Sequence, residues 1–249
     1  MIALFNTVLY QPIFNLLIYF YNVVPGHDIG LAIIALTIIV KLVLLPFSLQ
    51  SVKSQKALQE LQPKIEELKL KYADSKEKLA QETMKLYKEQ KVNPLSSCLP
   101  LLIQFPFLIA VYQAFRVGLT TDNFSLLYTF VANPGQINHL AFGFLDMAKP
   151  NIVLAILSGL AQYVQTQMMT TKKQPMKKDG AKDESMLANM NKSMLYFMPI
   201  MTIIIGMQLP AGLTFYWFLT TVLTSVQQFF MFKKDKISGV EIIPPAKAN

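Results

Sequence analysis

The chain has little of what most active sites are built from, with one cysteine and two histidines in 249 residues. Cys98 alone closes no internal disulfide, and His27 and His139 stand isolated and far apart, so no metal site or redox centre is indicated. No cofactor is expected either. Charge is also scarce: 15% of residues are charged against 53% hydrophobic, and the mean hydropathy is +0.36. Such a composition is too oily for an ordinary soluble domain and indicates an all-α integral membrane protein. A Walker A phosphate-binding pattern is missing, so the chain is not expected to hydrolyse nucleotide, and no enzyme activity is expected.

Five runs are long and apolar enough to form helical spans, at 29–50, 95–117, 151–171, 194–209 and 211–232, and none contains Asp or Glu. The fourth is short and leads into Gln208-Leu209-Pro210-Ala211-Gly212, which reads as a tight turn between antiparallel helices. Charge then sets orientation. Of 23 Lys plus Arg, 10 lie in residues 51–94, 6 in 172–192 and 4 in the tail from 233, leaving Lys41, Arg116 and Lys149 elsewhere. The three basic segments belong on the cytoplasmic side, which puts the start of the first span outside and the C-terminus inside.

Residues 1–24 carry no charged side chain and are long enough to span, but Asn6, Tyr10, Gln11, Asn15, Tyr19, Tyr21 and Asn22 make a mixed polar and aromatic segment. The reading adopted is an amphipathic helix in the outer interface. It lacks the positive n-region and cleavage site of a signal peptide. Residues 51–94 form a charged insertion, with Leu58, Leu61, Ile65, Leu68 and Tyr72 at coiled-coil spacing and Leu79 and Leu86 seven apart. That pattern predicts an antiparallel helical-hairpin arm, bent at Pro63. It serves either as a plain solvated connector or as a docking arm. Residues 118–150 are an external segment with a turn at Asn133-Pro134-Gly135 and an interfacial patch at Phe142 to Met147. Residues 172–193 read as a cytoplasmic Lys- and Met-rich loop, and 233–249 as a disordered cytoplasmic tail. These basic segments read as positive-inside flanks, and no specific nucleic acid partner is predicted.

One ammonium stands inside the first span: the chain reads IGLAIIALTIIV, then Lys41, then LVLLPFSLQSV. A charge at mid-membrane costs about 2.5–3.5 kcal/mol on insertion scales, so it persists where it faces water, a partner or a cavity. Lys41 lies roughly 18 Å of helix from either flanking charge, too deep for easy snorkelling. Polar residues recur on one face of several spans: Thr37, Lys41 and Ser48; Ser97 and Gln104; Ser158, Gln162 and Gln165; Thr214, Trp217, Thr221, Thr224 and Gln228. Singly these are interhelical glue, with hydroxyls bonded to local backbone. Together with a lysine that has no carboxylate in any span, they suggest one hydrated cavity, in which Lys41 stays charged. Nine methionines between Met168 and Met207 suit either an adaptable greasy surface or an irregular core.

The motifs Gln62-Pro63-Lys64-Ile65, MKLYKEQKVNPLSSCLPLL at 84–102, IQFP at 103–106, YQPIFNLL at 10–17, TIIVK at 37–41 and GLTFYWFLTTVLTSVQQ at 212–228 closely resemble the YidC-type membrane protein insertases. The resemblance covers nearly the whole chain in order. It implies five transmembrane helices around a hydrophilic groove open to cytoplasm and lipid, a cytoplasmic hairpin arm and an outer interfacial helix. It further implies that Lys41 holds the groove's cationic position, that Thr37 and Gln104 match groove residues, and that Tyr216 and Trp217 form the last span's aromatic pair. Lysine replaces the family's usual arginine, keeping the charge but losing the planar fork of donors. Ser96-Ser97 replaces the usual glycine pair.

The implied function is an insertase and chaperone of the bacterial cytoplasmic (inner) membrane. It receives nascent membrane-protein segments and releases them sideways into the lipid bilayer. Ribosome, signal-recognition targeting factors and the general translocon are partners the resemblance suggests. Neither the large external domain nor the long basic tail of some relatives is expected, so no C-terminal ribosome tether is. Two other classes fit the residues alone. A polar-lined channel or secondary transporter could use the lysine for anions, though no inverted repeat is evident and the arm would be unexplained. A passive assembly scaffold would contact finished helices only.

Overall fold

A computed structural model describes residues 2–93, 99–120, 124–169 and 184–238. Ser96, Ser97, Cys98, the loop 172–183 and the tail from 239 lie outside the described residues. The fold is almost entirely helical: α1 (Ile2–Phe5), a π-helical turn (Asn6–Tyr10), α2 (Gln11–Val23), α3 (Ile29–Lys71), α4 (Lys76–Glu89), α5 (Leu99–Thr120), α6 (Ile152–Met169), α7 (Glu184–Gly206) and α8 (Ala211–Ser238). A two-stranded antiparallel hairpin, β1 (Leu140–Ala141) and β2 (Leu145–Asp146), joins α5 to α6 and was not foreseen in the sequence.

Among the described residues, Ala3–Val23 and Ile29–Lys71 contain stretches long and apolar enough to cross a membrane, the latter with a hydropathy of 2.6 against 1.3. The apolar helices Ile152–Met168 and Leu195–Gly206 are shorter.

Several expected boundaries move. The helix that carries the expected first span does not stop at residue 50; α3 runs on through Lys71 into the expected arm, with Pro46 and Pro63 inside it. No glycine interrupts this stretch, and the change from apolar to charged side chains alters the solvent a helix prefers, not its backbone. Pro63 removes one backbone donor without ending the helix. The second half of α3 and α4 face each other across the turn at 72–75, with Leu61 and Ile65 of the expected seam buried. Ser75 caps α4 by accepting from Lys78 N.

The expected loop at 172–193 is also corrected, because α7 already begins at Glu184. Glu184, Met186, Leu187, Ala188 and Met190 are good helix formers, and no glycine or proline stands among them. Likewise α8 continues through 233–238, where the tail was expected to be disordered. The helix of the expected second span, α5, runs to Thr120, past the expected end at 117.

The apolar core gathers Phe14, Leu17, Ile18, Ile33, Leu36, Val111, Phe115 and Tyr216 from α2, α3, α5 and α8. α6 and α7 pair closely through small residues. A Cβ on Gly159 would meet Ile203 Cγ1 at 2.4 Å and the Pro199 carbonyl oxygen at 3.0 Å. One turn earlier, a Cβ on Gly206 would meet Ala155 Cβ at 3.1 Å. Ala155 and Gly159 thus form a small-xxx-small step that lets two helices approach without any polar glue.

Candidate functional site

Lys41 and Ser48 lie two turns apart on one face of α3, and α8 presents a matching polar row. Lys41 Nζ donates to Thr224 Oγ1 at 2.5 Å, and Thr224 Oγ1 in turn donates to the Thr220 carbonyl at 2.7 Å. The ammonium is half-buried. Two turns on, Ser48 Oγ donates to Gln227 Oε1 at 2.9 Å. Further along the same helices Gln228 Nε2 reaches Gln55 Oε1 at 3.5 Å. Lys41, Ser48 and Gln55 are spaced seven apart, which keeps them on one stripe and spreads the polar seam over roughly 21 Å of helix.

A second polar link enters from α5. Gln104 Nε2 donates to the Tyr216 hydroxyl at 3.0 Å, with the Tyr216 ring fully buried. A buried phenol needs such a partner, and here the partner bridges two helices.

The remaining expected site residues divide differently. Thr37 is buried and donates to the Ile33 carbonyl at 2.6 Å, so it is spent on its own helix. Thr214 donates to the Gly206 and Pro210 carbonyls at 3.3 and 3.4 Å, tying α8 to the end of α7. Ser158 donates to Leu154 O at 2.8 Å and approaches Thr214 O at 3.3 Å, holding α6 to α8. Thr221 donates to the carbonyl of Trp217 at 2.9 Å. Ser158 and Thr214 thus join neighbouring helices, while Thr37 and Thr221 bond to the preceding turn of their own. Gln162, Gln165 and Trp217 are half-buried, the two glutamines on α6 and Trp217 on α8.

Sequence reasoning passed over Gln55 and Gln227. The heptad step from Lys41 through Ser48 would have found Gln55, and Gln227 lies three residues past Thr224 on the row that faces Lys41. Gln227 Nε2 and Gln228 Oε1 are buried without a hydrogen-bond partner among the described residues. Each such atom costs about 1–3 kcal/mol. A seam that keeps unsatisfied amides is therefore poorly closed, compared with an apolar contact of the same shape.

Long apolar helices joined by a charged helical hairpin, with a lysine bonded to a threonine hydroxyl between two of them, define a mostly helical integral membrane protein. The family described as 60Kd inner membrane protein matches residues 19–238. Three proteins named membrane protein insertase YidC are similar along most of their length. That of Fusobacterium nucleatum is 36% identical over 83% of this chain and 87% of the relative. That of Clostridium tetani is 38% identical over 84% of each, and that of Oceanobacillus iheyensis 33% identical over 86% of this chain and 78% of the relative. The chain belongs to the 60Kd inner membrane protein family.

Proposed function

We propose that the chain is a membrane protein insertase, which takes the hydrophilic part of a nascent segment into a cationic polar cleft and lets the apolar part leave sideways into lipid. No nucleotide hydrolysis is part of this reading. Its main support is the cross-helix seam of Lys41, Thr224, Ser48 and Gln227, a cation and neutral polar groups where the helices are otherwise apolar. A lysine whose one partner among the described residues is a hydroxyl keeps two donors for an incoming acidic or carbonyl group. The names of the relatives agree with the reading.

In this reading α3, α5, α6, α7 and α8 supply five spans around the cleft. The Asp28 end of α3 faces outside, while the arm formed by the end of α3 and α4 stands in the cytoplasm beside ribosome, targeting factors or translocon. Gln104, Gln162, Gln165 and Trp217 belong to the cleft wall, and Ser158 and Thr214 hold that wall together.

The test is site-specific photocrosslinking from position 41 and from position 217 to stalled nascent chains in native membranes. Position 41 is expected to capture the polar flanks of translocating segments. Capture of finished apolar helices alone, at both positions, would favour a passive scaffold and sink the proposal.

A further inference from the structure

The β1–β2 hairpin carries an apolar face that no described element covers. Strand side chains alternate in direction. Ala141 and Met147 turn inward and are fully buried, Met147 O accepting from Gly212 N at 2.9 Å. Leu140 and Phe144 turn outward and are 45% and 78% exposed, and Phe142 keeps 40% exposed beside them. A hairpin with that face in water would show polar side chains there.

The tip is held in a fixed pose. Phe142 has φ +54, a backbone that bulky residues rarely adopt. Its N–H donates to Asp28 Oδ2, and its ring lies over Gly30, where a Cβ would meet Phe142 Cζ at 2.7 Å. The same ring meets Phe215 of α8 edge to face at 6.0 Å. Asp28 also caps α3, accepting from Gly30 N at 2.7 Å and Leu31 N at 3.1 Å. One carboxylate therefore joins the hairpin to the first turn of the long apolar helix. That carboxylate must stay wet, whereas Leu31, three residues on, is already exposed among apolar neighbours. The apolar surface continues onto Ile152 and Val153 at the start of α6, each 60% exposed.

We propose that this hairpin is a lipid anchor: Leu140 and Phe144 enter the headgroup and acyl boundary of the outer leaflet, and Phe142, clasped by Asp28 and packed on Gly30 and Phe215, sets their depth. Aromatic side chains favour that boundary, and the partner is lipid because the hairpin is clasped to the first turn of α3, whose exposed side chains from Leu31 on are apolar, as are Ile152 and Val153 at the start of α6. The proposal rests on the orientation given above, with the Asp28 end of α3 outside, and is independent of what the cleft carries.

The experiment places a single tryptophan at the tip, as Phe144→Trp in a Trp217→Phe background, in liposomes whose lipids are brominated near the headgroup or near the bilayer centre. Shallow bromines should remove about half of the emission or more, deep bromines less, with weak quenching by aqueous iodide. Strong iodide quenching without a bromine effect would overturn the proposal. So would protection that depends on protein density, which would mean a second copy covers the face. If the tryptophan variant does not fold, a spin label on Phe144→Cys in a Cys98→Ser background reads the same depth by oxygen and nickel collision. Collision dominated by aqueous nickel would overturn it equally.

Discussion

An ammonium inside an apolar helix, with no acid in reach on the described helices around it, has to be satisfied by neutral oxygens and water. Lys41 does this with Thr224, leaving donors free, which is why its charge rather than its shape should matter. Lys41→Arg keeps the charge and is expected to keep most insertion. Lys41→Glu should lower insertion of acidic-flanked substrates about tenfold or more, since one like-charge contact costs more than about 1.4 kcal/mol. Insertion of several such substrates into proteoliposomes is the measurement, and equal activity of the two variants would remove the charge from the mechanism. At this scale the sequence was legible where chemistry is rare. A lysine between IIV and LVLL announces itself, whereas Gln55 lies in a charged segment full of ordinary glutamines. Thr37 looked like a companion of Lys41, but a threonine inside a helix can satisfy its hydroxyl on the preceding turn, and spacing alone does not tell the two uses apart.

Elements were legible in kind and less so in extent. Hydrophobic runs marked the helices, yet α3 and α7 pass through the points where composition changes, because helix propensity does not stop where polarity begins. The α6 to α7 contact was invisible for the opposite reason. Its basis is the absence of side chain at Gly159, which no polar pattern flags. Gly159→Val should push Ile203 and the Pro199 carbonyl aside and cost about 1–3 kcal/mol, read as a lower thermal midpoint in detergent micelles. An unchanged midpoint would mean that the two helices are not packed this closely.

The hairpin also carries a pH dependence. The hydrogen bond from Lys149, at 2.9 Å, holds the Asp146 carboxyl below the ordinary range, and the N–H of Ala148 adds to it against the cost of partial burial. A carboxyl lowered in the folded state adds stability that is fully present above the unfolded value of about 3.9 and is lost as pH falls through the folded value. Lys149 is largely exposed, so the pair is worth less than about 1 kcal/mol. Asp146→Asn should therefore lose slightly less stability than the parent between pH 5 and pH 3, with no difference in slope above pH 5. Parallel unfolding curves over the whole acid range would show that the pair contributes nothing.

For the molecule as a whole, the open question of the sequence was whether residues 1–24 lie on the membrane or cross it, and length alone admits both. The polar side chains that made the segment look interfacial have a more particular use. Gln11 Nε2 and Asn15 Nδ2 both donate to Leu126 O, at 3.1 and 2.9 Å, and Asn15 Oδ1 accepts from Tyr128 N at 2.6 Å. Asn22 Nδ2 donates to Ala132 O at 2.7 Å, and the Tyr21 hydroxyl accepts from Asn138 N at 2.8 Å. A non-helical chain from 126 to 138 is thus laid along α2 over roughly 16 Å of helix rise. Such backbone does not lie exposed to hydrocarbon, so these bonds favour the reading in which α2 and the chain it carries lie together at the outer surface. On that reading both ends of the N-terminal segment face the same side. In a Cys98→Ser background, a membrane-impermeant maleimide added from outside should label Leu4→Cys and Gly135→Cys, and should label Glu77→Cys on the arm only after the membrane is opened. Labelling of Leu4→Cys only from the inside would make the segment a sixth span. The same result would force the loop on α2 into the bilayer and undo the outer placement of the hairpin with it.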